Sequence, residues 1–208
     1  GHLRQSPHWL CFDERWLKEA LARRRSRIDP KVTQAFRWVH GEADRLPGIH
    51  VDLYDDVAVV RFDGDGARAY YRNVSPHLLE AAKPLTLRGI VDRQTGRHLA
   101  GSIPATMQVL ENGLRFEISP GSGGKGGLFL DQRENRALVE RLAKGASVLN
   151  LFGYSGGFSL YAARGGALRT DTVDVAKLAL DAARRNFELN GFPLETAGFH
   201  AAEAFEFL

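Results

Sequence analysis

The sequence holds one cysteine, Cys11, among 208 residues. A single thiol excludes an internal disulfide framework and any cysteine-based zinc site, and it fits a reducing, cytoplasmic setting. Cys11 itself reads as a small apolar packing residue. No apolar run approaches the roughly 18 residues of a membrane span, so no membrane partner is expected. The seven histidines are scattered without metal-ligand spacing, which leaves them packing and surface roles. Two phosphate-binding signatures are also missing. A dinucleotide fingerprint needs G-x-G-x-x-G, whereas Gly153, Gly156 and Gly157 give G-x-x-G-G. A P-loop needs Gly-Lys followed by Ser or Thr, but Lys125 is followed by Gly126. No internal repeat is visible.

What is present describes a globular chain of two small domains, 44% apolar and 25% charged. The net charge of +3 is unevenly spread. Residues 1–50 carry 10 basic against 6 acidic side chains, and the remainder carries 18 against 19. The basic excess includes Arg23, Arg24, Arg25 and Arg27, a block that either meets phosphates or forms a solvated helix face. The three tryptophans, Trp9, Trp16 and Trp38, fall in the same region and read as core or interface anchors, with base stacking the lesser alternative.

Residues 1–34 read as a linker helix, with Trp9, Phe12, Trp16, Leu17, Ala20 and Leu21 at helical spacing until Asp29-Pro30. Residues 35–119 read as a small α+β domain. Strand-like runs lie at Phe36–Val39, Gly48–Tyr54 and Val57–Phe62, then a helix from Ser75-Pro76, then Leu87–Val91. A hairpin of Met107–Leu110 and Leu114–Ile118 turns at Asn112-Gly113. The glycine-rich stretch from Pro120 opens the last domain, residues 120–208, where helix and strand alternate and predict a parallel sheet. Asp131 and Glu134 are spaced for a capping box ahead of Leu138, Val139 and Leu142.

The chemistry concentrates at Val148–Phe158, where a buried strand enters a glycine-rich turn and then a helix. Such a turn lets a ligand approach the backbone and presents free N–H groups. Asp174 closes the next strand, 21 residues past Gly153, where a carboxylate can accept hydrogen bonds from both ribose hydroxyls of a nucleoside. A plain βαβ turn with a solvated aspartate would leave the same letters.

Four segments then resemble one family in order and spacing. Gly124-Lys125-Gly126-Gly127-Leu128-Phe129-Leu130-Asp131-Gln132-Arg133-Glu134-Asn135-Arg136 is similar to its K-T-G-x-F-L-D-Q-R-x-N-R signature, and His40–Asp52 to its H-G-E-x-D-x-L-P-G-L-x-V-D motif. Glu111-Asn112-Gly113 and Leu151–Phe158 match as well. The family is the S-adenosylmethionine-dependent large-subunit ribosomal RNA methyltransferases, the cytosine-C5 group related to methyltransferase I. The resemblance implies an α/β fold: the N-terminal half of a Rossmann-like class I methyltransferase domain, preceded by a strand-strand-helix-strand-strand α+β domain. It implies S-adenosylmethionine as cofactor and ribosomal RNA as partner. Phe129, Asp131, Gln132 and Arg133 would close over the cofactor. Phe152, Gly153, Tyr154, Gly156, Gly157 and Phe158 would wrap its methionine moiety, Asp174 would hold the ribose, and Glu203 would stand near the adenine, where the family usually has aspartate.

Some features depart from the family. Gly126 replaces a threonine, and the family's N-terminal PUA-type domain and its D-P-P segment have no counterpart, so the chain is expected to be truncated at both ends. No catalytic residue is assigned, since the family's catalytic cysteines are expected after Leu208. The edge of the first strand, Val148–Phe152, is then expected to be covered by further residues or by a second copy. A non-catalytic RNA-binding protein that keeps the scaffold is the alternative, and a nicotinamide-dependent oxidoreductase is disfavoured by the glycine spacing.

Overall fold

A computed structural model describes residues 12–122 and 128–208, so the readings placed on Trp9, Cys11 and Gly124–Gly127 lie outside the described residues. The chain divides into two compact units, residues 1–105 with 119–126, and residues 106–118 with 127–208.

In the first unit, β1 (Ala35–His40), β2 (Ile49–Tyr54), β3 (Val57–Phe62), β4 (Gly89–Asp92) and β5 (His98–Gly101) form one sheet in chain order. Asp55, at φ 52°, makes the tight turn that pairs Tyr54 with Val57, a left-handed conformation that a short polar side chain tolerates. The β3–β4 pair is parallel and therefore needs a crossover, supplied by α2 (Asp65–Tyr70) and α3 (Val74–Ala82). α1 (Arg15–Arg25) packs Leu17, Ala20 and Leu21 into the same core as Trp38, Ile49 and Leu78. The Trp38 indole N–H donates to the Leu17 carbonyl at 2.9 Å and fixes the helix on the sheet. Each fully buried Leu or Ile there is worth about 1.5–3 kcal/mol.

The basic block at the end of α1 is exposed on one side and tied to its own unit on the other. Arg24 grips Asp44 through both carboxylate oxygens at 2.6 Å, Arg23 reaches the same carboxylate at 2.6 Å, and Arg25 donates to the Ala82 carbonyl at 3.3 Å. Only Arg27 stays exposed without such a bond among the described residues. Burial pushes the Asp44 carboxyl up, but Arg24, Arg23 and the His40 N–H together outweigh it and hold it below the usual carboxylate range. Three other acidic residues of this region are structural too. Asp52 pairs with Arg37 and, at 3.0 Å, with Arg93, while Asp56 pairs with Arg88 at 2.9 Å. His50 meets Asp63 at 2.9 Å. The His40–Asp52 motif thus builds the domain.

The second unit contains the hairpin β6 (Met107–Glu111) and β7 (Leu114–Ile118), expected in the first. Its outer backbone is held by side-chain amides of α6 (Lys177–Leu189) and the residue after it. The Asn186 oxygen accepts from Glu117 N–H at 2.9 Å, and Asn190 both accepts from and donates to the Arg115 backbone, at 2.8 and 2.7 Å. Alternation alone cannot reveal which helix a hairpin will find.

Three parallel strands, β8 (Ser147–Leu151), β9 (Arg169–Asp174) and β10 (Ala197–Ala201), lie in the order β10-β9-β8. α5 (Gly157–Arg164) and α6 provide the crossovers. Leu180, Ala183 and Phe187 form the buried stripe of α6, while Ala176 is its exposed N-cap. Among the described residues β8 pairs with β9 alone, and Leu149 is 45% exposed.

α4 (Arg133–Leu142) departs from its expected pattern. A 3-10 turn at residues 130–132 precedes it, no side chain caps it, and Leu138 and Leu142 are exposed. What it buries is Arg136. That guanidinium donates to both Glu111 oxygens at 2.8 Å, and the Tyr161 hydroxyl donates to the same carboxylate at 3.0 Å. Burial, with the Glu111 charge beside it, pushes the Tyr161 phenol well above its ordinary value and keeps it a donor. The hairpin, α4 and α5 are joined at this one carboxylate.

Candidate functional site

The carboxyl ends of β8, β9 and β10 carry Phe152–Phe158, Asp174 and Glu203, at the place where open α/β sheets bind ligands. The turn after β8 is conformationally demanding. Phe152 and Tyr154 lie at φ 55° and 49°, and Gly156 at φ 73°. Left-handed backbone at an aromatic residue is uncommon and clusters at functional sites. Here it leaves the Phe152 ring 65% exposed, edge-on to Phe205 at 6.2 Å.

The glycines serve packing more than ligand approach. A Cβ at Gly153 would sit 2.4 Å from the Thr172 methyl, and one at Gly156 would sit 2.7 Å from Ala183 Cβ. The turn is therefore pressed onto β9 and α6. Beneath it, Asn150 donates to Ser159 at 3.0 Å, and Ser159 shares a 2.7 Å hydrogen bond with Thr172, a buried polar line that satisfies itself. Asn186, which holds the hairpin, also donates to the Ser155 carbonyl at 3.1 Å. Asn186 and Arg136 shape the site, and neither was assigned a role from the sequence. Arg136 stood only as the last letter of a motif, and Asn186 carried no signal beyond an amide on a helix.

Asp174 closes the arrangement. Its two oxygens accept one backbone N–H each, from Tyr154 at 2.9 Å and Ala176 at 2.8 Å, and the carboxylate is half-buried. A carboxylate offers about four acceptor positions, so half remain for other donors. Phe129 is brought in from the other side, its ring 5.4 Å from Tyr154 and its carbonyl accepting from Arg136 at 3.1 Å. Phe158 lies under Arg136, whose guanidinium is 6.0 Å from the ring centre, and a Cβ on Gly157 would meet the same side chain at 3.1 Å.

The remaining expected residues are less engaged. Among the described residues Asp131, Gln132 and Arg133 bond only to near neighbours, Gln132 to Asp131 at 3.1 Å and Arg133 to Glu134 at 3.3 Å. Glu203 lies at the end of β10 and caps the short helix α7 (Ala204–Phe207), accepting the Phe205 N–H at 2.7 Å. Among the described residues no cluster of His, Cys, Asp and Glu could hold a metal, and no helix is long and apolar enough to cross a membrane.

The S-adenosylmethionine-dependent methyltransferase family model matches residues 86–207 and so includes the hairpin with the second unit. Ribosomal RNA large subunit methyltransferase I of Alteromonas mediterranea is 39% identical over 191 residues, covering 87% of this chain and 48% of that protein. The ribosomal RNA large subunit methyltransferase of Deinococcus radiodurans is 37% identical over 220 residues, covering 95% and 53%. The chain thus spans about half the length of these curated relatives. Among solved structures, a protein from Streptococcus mutans assigned to the SAM-dependent methyltransferases superposes with TM-score 0.83 at 24% identity, over 100% of this chain and 55% of that one. A methyltransferase solved with SAH superposes with TM-score 0.81 at 24% identity, over 95% and 54%. At that identity the two structures speak for the fold alone. With more than half of its 208 residues inside the family's match, the chain belongs to the S-adenosylmethionine-dependent methyltransferases.

Proposed function

We propose that this chain carries the cofactor-binding half of a methyltransferase acting on large-subunit ribosomal RNA, at carbon 5 of a cytosine. The carrying observation is the convergence of Asp174, the strained Phe152–Gly156 turn and Phe129 at the ends of three parallel strands. The RNA comes from the names of the relatives, and the cytosine from the resemblance of the motifs.

The residues fit S-adenosylmethionine chemically. The half-buried Asp174 carboxylate keeps acceptor capacity for two ribose hydroxyls, the exposed Phe152 ring offers apolar surface to the methionine part, and the Phe205 ring beside it offers the same to the adenine. Tyr154 in the turn and Phe129 edge-on to it offer an aromatic lid for the methionine part, with Asp131, Gln132 and Arg133 following Phe129 in the chain. Glu203 keeps one carboxylate oxygen beyond its capping bond for an adenine amino group. When bound, the cofactor supplies a methyl group on a sulfonium. The chain's own part is to fix the ribose through Asp174, to keep the turn rigid through Asn186 and the Asn150–Ser159–Thr172 line, and to hold Phe129 against Tyr154 through Arg136. Cytosine C5 chemistry also needs a thiolate that adds to carbon 6. Cys11, the one thiol, lies outside the described residues and is not assigned that role.

The test is calorimetric titration of the chain with S-adenosylhomocysteine and with NAD, followed by Asp174→Ala. Binding of the first ligand alone is expected. Asp174→Ala is expected to weaken it by about 1.5–3 kcal/mol, roughly 10- to 150-fold, with an unchanged melting curve. RNA binding without any S-adenosylhomocysteine binding would instead support a scaffold without catalysis.

A further inference from the structure

The first unit contains a cleft of about 580 Å³ that the cofactor site does not use, lined by Phe12, Trp16, Arg45, Pro47, Gly48 and Tyr70. Its walls are aromatic and cationic. The Arg45 guanidinium lies 4.4 Å from the centre of the Trp16 ring, and Tyr70 is 43% exposed, edge-on to Tyr71 at 4.8 Å. Arg45 reaches this place from a left-handed backbone at φ 60°, and among the described residues it makes no ion pair. The one carboxylate in the lining, Asp13, is already bound by Arg15. Tyr71 also walls a second, smaller cavity that adds Arg72 and Arg97, and these too have no carboxylate partner among the described residues. The unit therefore spends Arg23, Arg24, Arg37 and Arg68 on its own carboxylates, Arg68 on the Asp92 of the smaller cavity, and leaves Arg45 in the aromatic cleft and Arg72 and Arg97 in the cavity that shares Tyr71.

We infer that this cleft holds one unstacked base of single-stranded RNA against Trp16, in the place where Arg45 now lies over the ring, with Arg45 turned to one flanking phosphate and Arg72, from the cavity beyond Tyr71, meeting the other. Every base has a π-face, so an indole wall binds without sequence preference, and the arginines supply the salt-dependent part. The charge decides the occupant: an apolar peptide would leave the guanidiniums desolvated and unmatched, whereas a nucleotide strand matches both features. The inference rests on the RNA reading above and locates where the first unit touches the strand.

The experiment is fluorescence anisotropy of a labelled, unstructured RNA of about ten nucleotides, titrated with the whole chain at several salt concentrations. Trp16→Leu keeps an apolar helix residue and is expected to weaken binding roughly 5- to 150-fold with an unchanged salt slope. Arg45→Asn, which suits a left-handed backbone, is expected to flatten the slope by about 0.7. Circular dichroism and melting curves check that each variant folds. Wild-type affinity in Trp16→Leu, or an unchanged slope in Arg45→Asn, overturns the cleft as the site. A free mononucleotide that binds as tightly as the strand also overturns it, in favour of a nucleotide pocket. Should the wild-type chain bind no RNA at any salt, the RNA reading of the function falls first.

Discussion

Removing Arg136 should destabilise the second unit while leaving the stability of the first unchanged. The Glu111 carboxylate is fully buried, and Arg136 supplies two of the hydrogen bonds that make that burial tolerable. Arg136→Met keeps much of the side-chain volume but leaves the charge with only Tyr161, and breaking one side of a buried pair costs about 3–5 kcal/mol. With a urea slope of about 2 kcal/mol per molar, the midpoint should fall by about 1.5–2.5 M. The chain offers its own internal control. Trp9, Trp16 and Trp38 all belong to the first unit, so tryptophan emission reports that unit and circular dichroism reports both. The dichroism transition is expected to move and the emission transition to stay. Replacing both partners, Glu111→Leu with Arg136→Met, should recover most of the loss, because an apolar pair of similar volume avoids the stranded charge. Cofactor affinity should drop in the single variant as well, since Arg136 also holds the Phe129 carbonyl beside Tyr154. A midpoint change below about 0.5 M in Arg136→Met, or a double variant no better than the single, would refute the role given to this pair.

The mirror experiment acts on the first unit. Asp44→Asn should shift the emission transition by about 3 kcal/mol, because two arginines lose their shared, buried charge. The folded-state value of Asp44 is depressed, so its contribution is complete above the unfolded value near pH 4 and is lost as pH falls through the lower folded value. Wild type and variant should therefore converge in strong acid, and a gap that persists there would argue for packing instead. At the turn, Gly153→Ala should destabilise the second unit and weaken S-adenosylhomocysteine together, since the new methyl would lie 2.4 Å from Thr172. A variant that binds and melts like wild type would show that the turn yields.

Much of this architecture is legible in the letters where local punctuation is strong. Asp55-Asp56, Asn112-Gly113 and Gly191 each mark a turn or helix end that the structure contains, and the alternation after residue 145 yields the parallel sheet. β5 was not legible because His98-Leu99-Ala100-Gly101 is a half-exposed edge with no alternation, held by pairing to β4. α2 is a turn and a half without a buried residue, too short to show a stripe. The arginine block misleads for a different reason. Its partner Asp44 lies some twenty residues away, and nothing local distinguishes a guanidinium bound to a buried carboxylate from one in water. At the site, the strand–turn–helix and Asp174 could be read from spacing, whereas the supports Arg136 and Asn186 depend on which elements fold against each other.

The hairpin carries one further consequence, for how the protein can be divided. The chain enters the second unit at residue 106, leaves after 118 and enters again at 127, so neither unit is one continuous stretch of sequence. A fragment begun at the glycine-rich stretch would keep every cofactor residue named above yet lack Glu111, Arg115 and Glu117. Arg136 would then be a buried cation with no counter-charge, and the amides of Asn186 and Asn190 would face no backbone. A shuffling of domains in evolution, or on the bench, would have to cut near residue 105 to carry the binding unit whole.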